Sequence, residues 1–283
     1  MSPEVSPDLS TAIRRLLAVA VTGALLTVTG CSGSEPDADP TPTAPTTTAT
    51  TPGPPPTAQP QPRPKSGACY DLTYDEALSP TSHQDPVACA SDHSSLTYFV
   101  ATLPEVQSGH LLAVDSDRVQ SAVATTCRAR FASYVGGTTL ERRLSLLRPV
   151  WFTPSLREAD RGANWFRCDL VALSGESSLA ALTDDPKGKP QAYALCGTAQ
   201  PGTKDFSRVL CRDAHSWRAV STVDLSGKSY PGEQAARDKA AGPCKQQGAN
   251  SADDPLNYQW GSEVPTRDQW EAGTTWATCW IPD

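Results

Sequence analysis

Eight cysteines restrict the fold of this chain more than any other feature of its sequence. They follow an earlier cysteine, Cys31, and form two sets of four: Cys69, Cys89, Cys127 and Cys168, then Cys196, Cys211, Cys244 and Cys279. An even number of cysteines in an exported chain indicates a disulfide framework, and the sequence contains no CxxC pair of the kind that binds zinc or carries out redox chemistry. We therefore expect four disulfides and no free thiol among these eight.

The surroundings of the cysteines repeat along the chain. Residues 87–94 and 209–216 surround the second cysteine of each set and share the pattern V-x-C-x-x-x-H-S. Residues 154–168 and 265–279 end at the fourth cysteine and align over fifteen positions without a gap, sharing proline, glycine, tryptophan and cysteine. Two such stretches in the same order predict two tandem copies of one four-cysteine unit.

The N-terminus has the pattern of a secretory signal. Arg14 and Arg15 precede an apolar run at residues 16–28, which is too short to span a bilayer as a mature helix. The run leads through Thr-Gly to Cys31, an ending that resembles a lipobox, the motif whose cysteine receives a diacylglycerol. We predict that the lipid on Cys31 anchors the protein at the extracytoplasmic face of the cell membrane. An ordinary cleavage site with a coincidental cysteine is the alternative.

The segment that follows Cys31 is rich in proline and threonine up to residue 66 and contains no aromatic residue. Such a segment cannot bury enough apolar area to offset its ordering entropy. In an extended polyproline II conformation, at about 3.1 Å per residue, it reaches on the order of 100 Å. We predict a disordered linker that lifts the rest of the chain away from the membrane and toward the cell wall.

The following domain organisation results. A signal peptide covers residues 1–30, and the lipidated cysteine with its disordered linker covers 31–66. The first four-cysteine domain covers 67–182, a polar linker 183–191, and the second four-cysteine domain 192–283. We expect both domains to belong to the α+β class, each with a short antiparallel sheet and one main helix.

Each domain is expected to contain two strands at corresponding places. Residues 95–103 and 217–225 are rich in β-branched and aromatic side chains and follow the repeated histidine directly. Residues 165–170 and 276–281 surround the fourth cysteine of each set and are predicted to form the closing strands.

One main helix is expected between these strands in each domain. Apolar residues at helical spacing over 119–134 predict the first, with Cys127 on its buried face. The second is predicted at 231–241, where Gly242-Pro243 is expected to end it just before Cys244.

These elements favour one disulfide pairing. The third cysteine lies on a helix and the fourth on a strand, so a bridge between them leaves the first two to pair with each other. Four cysteines in a domain allow three pairings, and the pairs that we favour are Cys69–Cys89, Cys127–Cys168, Cys196–Cys211 and Cys244–Cys279.

The residues around these cysteines resemble the septum formation domain of actinobacterial envelope proteins. The resemblance rests on the Gly-x-x-Trp-x-x-Cys ending and on a valine, a cysteine and a histidine in each unit: Val87, Cys89 and His93, then Val209, Cys211 and His215. Members often have proline before the histidine, where this chain has Asp92 and Ala214. They often have glutamate three residues after it, where this chain has Leu96 and Arg218. The resemblance implies a role at the envelope in cell division and supplies no catalytic residue.

The sequence also contains few groups that carry out chemistry. It has four histidines, His83, His93, His110 and His215, and no G-x-S-x-G, H-E-x-x-H or S-x-x-K signature. The cysteines that a zinc site would need are expected in disulfides. We therefore predict no catalytic residue, no metal and no cofactor. His93 and His215 are expected to hydrogen-bond the loop that enters each strand, because a structural role recurs with the fold.

Tryptophans are concentrated in the second domain, which has five of the seven. Trp276 corresponds to Trp165 and is expected to pack beside its cysteine. An exposed aromatic face that stacks on cell-wall sugar rings is one role for the rest, and packing in the core is the other. The candidates for this binding face are Trp217, Trp260, Trp270 and Trp280.

The chain has a net charge of −7 and no basic patch, which argues against nucleic acid as a partner. We predict a non-catalytic interaction module, bound to the membrane through the lipid on Cys31 and contacting an envelope or divisome protein. The alternative is an envelope glycan- or ligand-binding protein, or a hydrolase, with a cleft between the two domains.

Overall fold

Helices and antiparallel strands, joined by turns and loops, occur throughout residues 62–283 of the computed structural model, which describes this stretch except for residues 176, 184 and 255. The predicted signal peptide, the predicted lipid attachment at Cys31 and the predicted linker as far as residue 61 lie outside the described residues. Within the described part, no helix has the length and apolar character needed to cross a membrane.

Each repeat, as far as the structure describes it, contains one long helix and a small sheet, with three shorter helices in the first repeat and one in the second. The first consists of β1 (Cys69–Tyr70), α1 (Tyr74–Leu78), β2 (Ser95–Thr102), β3 (Val106–Gln107), β4 (His110–Leu111), α2 (Asp117–Val135), α3 (Thr139–Arg143), β5 (Leu147–Phe152), α4 (Leu156–Asp160), β6 (Trp165–Ser174) and β7 (Ser178–Ala180). After a 3-10 turn, the second consists of β8 (Leu195–Gly197), β9 (Arg208–Leu210), β10 (Trp217–Asp224), α5 (Glu233–Ser251), β11 (Gly261–Glu263), α6 (Arg267–Glu271) and β12 (Trp276–Pro282). The α+β class is confirmed.

The two main sheets have the same strand order. Neighbouring strands in the first are β1-β2-β6-β5, with β7 also paired to β6, and those in the second are β11-β12-β10-β8-β9. The order β1-β2-β6-β5 therefore recurs as β8-β10-β12-β11, and every pairing in both sheets is antiparallel. The sequence repeat is thus a repeat of topology.

The central strand pair of each sheet is irregular at the same place. The register of β2 on β6 shifts between Thr97 and Phe99, and that of β10 on β12 shifts between Ala219 and Ser221. Each shift begins four residues after the repeated histidine. Because a bulge bends a strand and increases its twist, the strand after each histidine is shaped alike in both copies.

Helix α2 packs on the first sheet through a stripe of buried side chains. Val119, Val123, Cys127 and Phe131 are at most 8 % exposed and recur every four residues, which places them on one face of the helix. This is the buried face that the sequence predicts.

Helix α5 is longer than the sequence predicts. Gly242-Pro243 was expected to end it, but the helix continues to Ser251. A proline in an exposed helix interior costs about 3 kcal/mol, because it removes a hydrogen bond and its ring crowds the preceding turn. Burial of Ala240 and Gly248 and the disulfide from Cys244 to the sheet offset that cost, while Pro243 itself lies on the exposed side.

The repeated proline-to-cysteine stretch folds into a short capped helix and a strand. Ser155 caps α4 and Thr266 caps α6, each in a capping box with the residue three positions later. A glycine with positive φ follows each helix, 101° at Gly162 and 105° at Gly273, a conformation that other residues rarely adopt. The two stretches share their residue spacing because both fold into the same capped helix, glycine turn and strand.

All eight described cysteines form disulfides, in the pairing that the sequence favours. In each repeat one bridge joins the main helix to the closing strand, and the other ties the first strand to the chain before the repeated histidine. With Cα–Cα distances between 4.9 and 5.4 Å, the bridges are Cys69–Cys89, Cys127–Cys168, Cys196–Cys211 and Cys244–Cys279.

One hydrophobic core contains side chains of both repeats. Val119, Cys127 and Cys168 from the first repeat belong to the same buried cluster as Trp217 and Trp280 from the second. The two copies therefore pack together within one compact unit. The domain boundaries at residues 182 and 192 stay a prediction.

Backbone hydrogen bonds also join the repeats. The amide of Leu146 donates to the carbonyl oxygen of Tyr193 at 2.8 Å, and the amide of Leu195 donates to that of Leu144 at 2.9 Å. These bonds continue strand-like pairing from the start of β5 to the start of β8, so the contact between the copies is ordered at the backbone.

Candidate functional site

Each repeat presents its histidine on a short loop that leads into the central strand. Residues 91–94 and 213–216 are termed the first and second histidine loops. A disulfide anchors the chain two residues before each loop, at Cys89 and at Cys211. The loop then continues directly into β2 or β10, so both of its ends are fixed to the fold.

The two histidines make the same hydrogen bond. Nδ1 of His93 lies 2.9 Å from the carbonyl oxygen of Ser91, and Nδ1 of His215 lies 2.7 Å from that of Asp213. Because a carbonyl oxygen only accepts, Nδ1 carries the hydrogen in both rings and donates it. Both side chains thus hydrogen-bond the loop that enters the strand.

The outer nitrogen of His215 is held by a carboxylate. Its Nε2 lies 2.7 Å from Oδ2 of Asp283, whose Oδ1 lies 2.6 Å from Nε of Arg218. Both partners of the His215 ring accept hydrogen bonds, so the ring donates from both nitrogens and is an imidazolium in this geometry. The hydrogen bonds to Asp213 and then to Asp283 raise the pKa of His215. The hydrogen bond from His215, and then Arg218, lower the pKa of Asp283.

Asp283→Asn is expected to lower the pKa of His215 toward that of a free histidine, though not fully, because the hydrogen bond to Asp213 remains. Because the pKa of His215 is higher in the folded state than in the unfolded state, the protonated ring stabilises the fold fully at pH values below the unfolded pKa. This stabilisation is lost as pH rises through the folded pKa. Because the pKa of Asp283 is lower in the folded state than in the unfolded state, its carboxylate stabilises the fold fully at pH values above the unfolded pKa. This stabilisation is lost as pH falls through the folded pKa. The His215–Asp283 pair therefore stabilises the fold most between the unfolded pKa of aspartate and the unfolded pKa of histidine, in the mildly acidic range.

An NMR titration of the His215 ring in the wild type and in Asp283→Asn measures this effect, with His93 as the internal control. Since the pair lies near the surface, we expect it to change the free energy of unfolding by at most about 1 kcal/mol. A His215 pKa that is the same in both proteins would contradict the assignment.

The outer nitrogen of His93 has no such partner. Within the described residues, nothing hydrogen-bonds to its Nε2. The strand registers place Ala172 and Leu96 where the second repeat has Asp283 and Arg218. His93 lines an open pocket of about 320 Å³, termed the His93 pocket. Its polar lining includes Asp71, Thr73, Tyr74, Asp92, Ser94 and Ser178.

The wall of the His93 pocket is held in place by hydrogen bonds. The hydroxyl of Ser94 donates to the carbonyl oxygen of Leu72 and accepts from the Leu72 amide, both at 2.7 Å. The amide of Leu182 donates to the carbonyl oxygen of His93 at 2.9 Å. The pocket is therefore built from backbone that is fixed on both sides of the histidine.

A wider groove of about 730 Å³ lies beside α4. Acidic and basic side chains both line it, among them Asp115, Arg157 and Glu158. Glu158 is engaged by the capping hydroxyl of Ser155, which lowers its pKa. The groove thus selects no single charge. Across the part of the chain that the structure describes, no group of three His, Cys, Asp or Glu side chains is placed to hold a metal ion.

The structure places three of the four candidate binding tryptophans in the interior, as the alternative of packing in the core predicts, and these three form no exposed aromatic face. Trp217, Trp270 and Trp280 are 6 %, 8 % and 0 % exposed, and Trp260 is half-buried. Trp280 packs edge-to-face on Phe206, with 5.2 Å between ring centroids. Trp217 and Trp280 belong to the core that the two repeats share, whereas Trp270 belongs to a cluster formed within the second repeat. Sequence spacing alone reveals neither kind of burial.

Sequence reasoning missed a pair of buried charges on β6. Nε of Arg167 lies 3.4 Å from Oδ2 of Asp169, and the two side chains are 4 % and 0 % exposed. Asp169 accepts hydrogen bonds from the hydroxyls of Ser95 at 3.0 Å and Thr97 at 2.7 Å. Burial raises the pKa of Asp169, and Arg167 acts in the opposite direction.

The guanidinium of Arg167 is stacked rather than fully hydrogen-bonded. Its carbon lies 3.7 Å from the ring centroid of Tyr70 and 4.6 Å from that of Phe152. Its Nε and Nη2 have no hydrogen-bond partner among the described residues. Alternating charges in a strand ordinarily indicate a solvent-facing side, and here the segment around Tyr70 covers that side.

The family model described as septum formation matches the chain twice, at residues 41–153 and at 147–279. Together the two matches include both histidine loops and all eight disulfide cysteines. No curated protein and no solved structure matches the chain.

Proposed function

Because the chain belongs to the septum formation family, in which it has two copies of the family unit, we propose that it is a lipid-anchored, non-catalytic interaction module that takes part in septum formation at the cell envelope. The observation that carries the proposal is the shared use of His93 and His215. In both copies Nδ1 of the family histidine hydrogen-bonds a carbonyl oxygen two residues earlier. This shared hydrogen bond favours a scaffold whose loops contact a partner, rather than an enzyme with an active site.

The joined core supports the same proposal. The two repeats share a continuous hydrophobic cluster, with Val119 and Cys168 on one side and Trp217 and Trp280 on the other. An open groove of about 430 Å³, lined by Ser178 and Arg208 among others, also lies between them. This groove is where the alternative, a hydrolase or a glycan-binding protein, would bind its ligand. A single body with two histidine loops is suited to contacting a protein partner.

Export and anchoring are part of the proposal. The apolar run at residues 16–28 and the lipobox-like ending at Cys31 support a lipid on the mature N-terminus. The linker to residue 66 then allows the folded unit to lie on the order of 100 Å from the membrane. Four disulfides are consistent with folding outside the cytoplasm.

Two variants of the full chain test this proposal in the native host, Cys31→Ala and the neighbouring Ser32→Ala as matched control. We expect the wild type and Ser32→Ala to incorporate labelled fatty acid, to remain in the membrane fraction and to concentrate at division sites. Cys31→Ala is expected to lose all three properties, and crosslinking with the wild type is expected to recover envelope or divisome proteins.

The readouts separate the parts of the proposal. Absence of fatty acid from the wild type would overturn the anchor. An even distribution around the cell, with no division protein crosslinked, would overturn the role at the septum.

A further inference from the structure

We propose that the His93 pocket in the first repeat binds a primary ammonium group. The inference rests on the proposed function only for the origin of the ligand, since a module at the envelope meets lysine side chains of proteins and amino groups of wall material. It names the chemistry that the first histidine loop recognises.

The His93 side chain is buried, and its Nδ1 is already engaged. The residue is 9 % exposed, and it lines the pocket wall. Its Nδ1 hydrogen is donated to the carbonyl oxygen of Ser91 at 2.9 Å. When the imidazole is neutral, Nε2 keeps a lone pair, and a ligand that hydrogen-bonds this atom has to bring a donor.

The lining of the His93 pocket is acidic. Asp71 and Asp92 are the charged residues among those that line it, and Thr73, Tyr74 and Ser178 also belong to the lining. The lining thus includes two residues with carboxylates in addition to the histidine. An ammonium group has three donors and no acceptor, and hydrogen bonds between an ammonium and carboxylates are stronger than those between neutral groups.

The second repeat closes the equivalent position. There Asp283 occupies the Nε2 side of His215, and Arg218 neutralises the carboxylate. The first repeat has Ala172 and Leu96 at these positions, and His93 lines a pocket of about 320 Å³ that is open to a ligand. In the second repeat a side chain of the same chain binds Nε2 of the histidine, and in the first repeat no side chain of the described residues does so.

The pocket is preformed, which reduces the entropy lost on binding. Ser94 is 6 % exposed and hydrogen-bonds both backbone polar groups of Leu72. The first histidine loop is fixed in turn by the disulfide at Cys89. Binding of an ammonium group therefore requires no rearrangement of the loop.

Lysine amide and glucosamine are the probes, and their N-acetylated forms are the controls that lack the charge. The full chain is labelled with ¹³C-histidine and purified with its disulfides intact; its four histidines give a simple spectrum. We expect saturable shifts of the His93 signals with the amine probes and none with the acetylated forms. His215 is the internal control, because its Nε2 is already occupied. The stronger of the two amine probes indicates whether a protein side chain or an amino sugar is the source.

Asp71→Asn with Asp92→Asn is expected to weaken binding of lysine amide at least tenfold, which corresponds to about 1.4 kcal/mol. Asp213→Asn, in the second histidine loop, is the matched control and is expected to leave binding unchanged. Equal response to the acetylated probes, a saturable response to acetate in place of the amines, or no saturable shift at millimolar concentrations would overturn the proposal. None of these results alters the location of the protein in the cell, so failure here is distinguishable from failure of the proposed function.

Discussion

Arg167→Leu is expected to lower the free energy of unfolding by about 3–5 kcal/mol at neutral pH, because it leaves the fully buried carboxylate of Asp169 without its cation. Ser95 and Thr97 still donate hydrogen bonds to the carboxylate, but two hydroxyl groups do not compensate a buried charge. Chemical denaturation of the oxidised protein measures the loss.

The loss is expected to depend on pH in a definite direction. Burial raises the folded pKa of Asp169, and Arg167 limits that rise. A carboxylic acid whose pKa is raised in the folded state does not change the free energy of unfolding at pH values where it is protonated in both states. It lowers that free energy as pH rises from the unfolded pKa through the folded pKa. Removing Arg167 raises the folded pKa further. The destabilisation is therefore smallest below the ordinary pKa of an aspartate and largest near neutrality.

Arg167→Leu combined with Asp169→Leu is the control for this prediction. Replacing a whole buried ion pair by apolar side chains is often neutral or stabilising, and the second repeat has the uncharged residues Thr278 and Trp280 at the equivalent positions. We expect the double variant to recover most of the lost stability. A double variant as unstable as the single one, or a loss that does not change between acid and neutral pH, would contradict the assignment.

Replacing Cys127 and Cys168 together by alanine is expected to cost about 4 kcal/mol, since the bridge closes a loop with a sequence separation of 41. Both half-cystines are 0 % exposed and belong to the core that the repeats share, so loss of the sulfur atoms also leaves unfilled space. The thermal midpoint and the denaturant midpoint of the variant are both expected to fall.

The bridge between Cys196 and Cys211 provides the comparison. Its sequence separation is 15, for which the same chain-entropy relation gives about 3 kcal/mol, and Cys211 is only half-buried. Alanine at both positions is therefore expected to cost less than removal of the Cys127–Cys168 bridge. An equal or larger loss at the shorter loop would show that loop length and burial do not control the stability of these bridges.

Several features of this fold follow from local sequence, since they depend on residues that are near each other along the chain. Ser155 and Thr266 cap the first turns of short helices, each in a capping box with the residue three positions later. A glycine with positive φ follows the end of each of these helices. The stripe of buried residues on α2 and the strands after each histidine follow from hydrophobic period. The helix-to-strand disulfides then follow because the third and fourth cysteines lie on those elements.

Tertiary packing decided the rest. Pro243 stays inside α5 because Cys244 and its neighbours are held on the sheet, an effect that outweighs the local preference for a break. Trp217 and Trp280 are interior because the first repeat covers that face of the second sheet. Packing around Tyr70 likewise makes Arg167 and Asp169 a buried pair.

The two histidines show the same division most clearly. The V-x-C-x-x-x-H-S spacing already places His93 and His215 on equivalent loops, because it sets the distance from disulfide to strand. Contacts between distant segments then bring Asp283, just after the last strand, to the ring of His215, whereas His93 lines an open pocket. Local sequence does not show this difference, because the register of a strand determines which side chain lies beside a loop, and contacts far apart in sequence set that register.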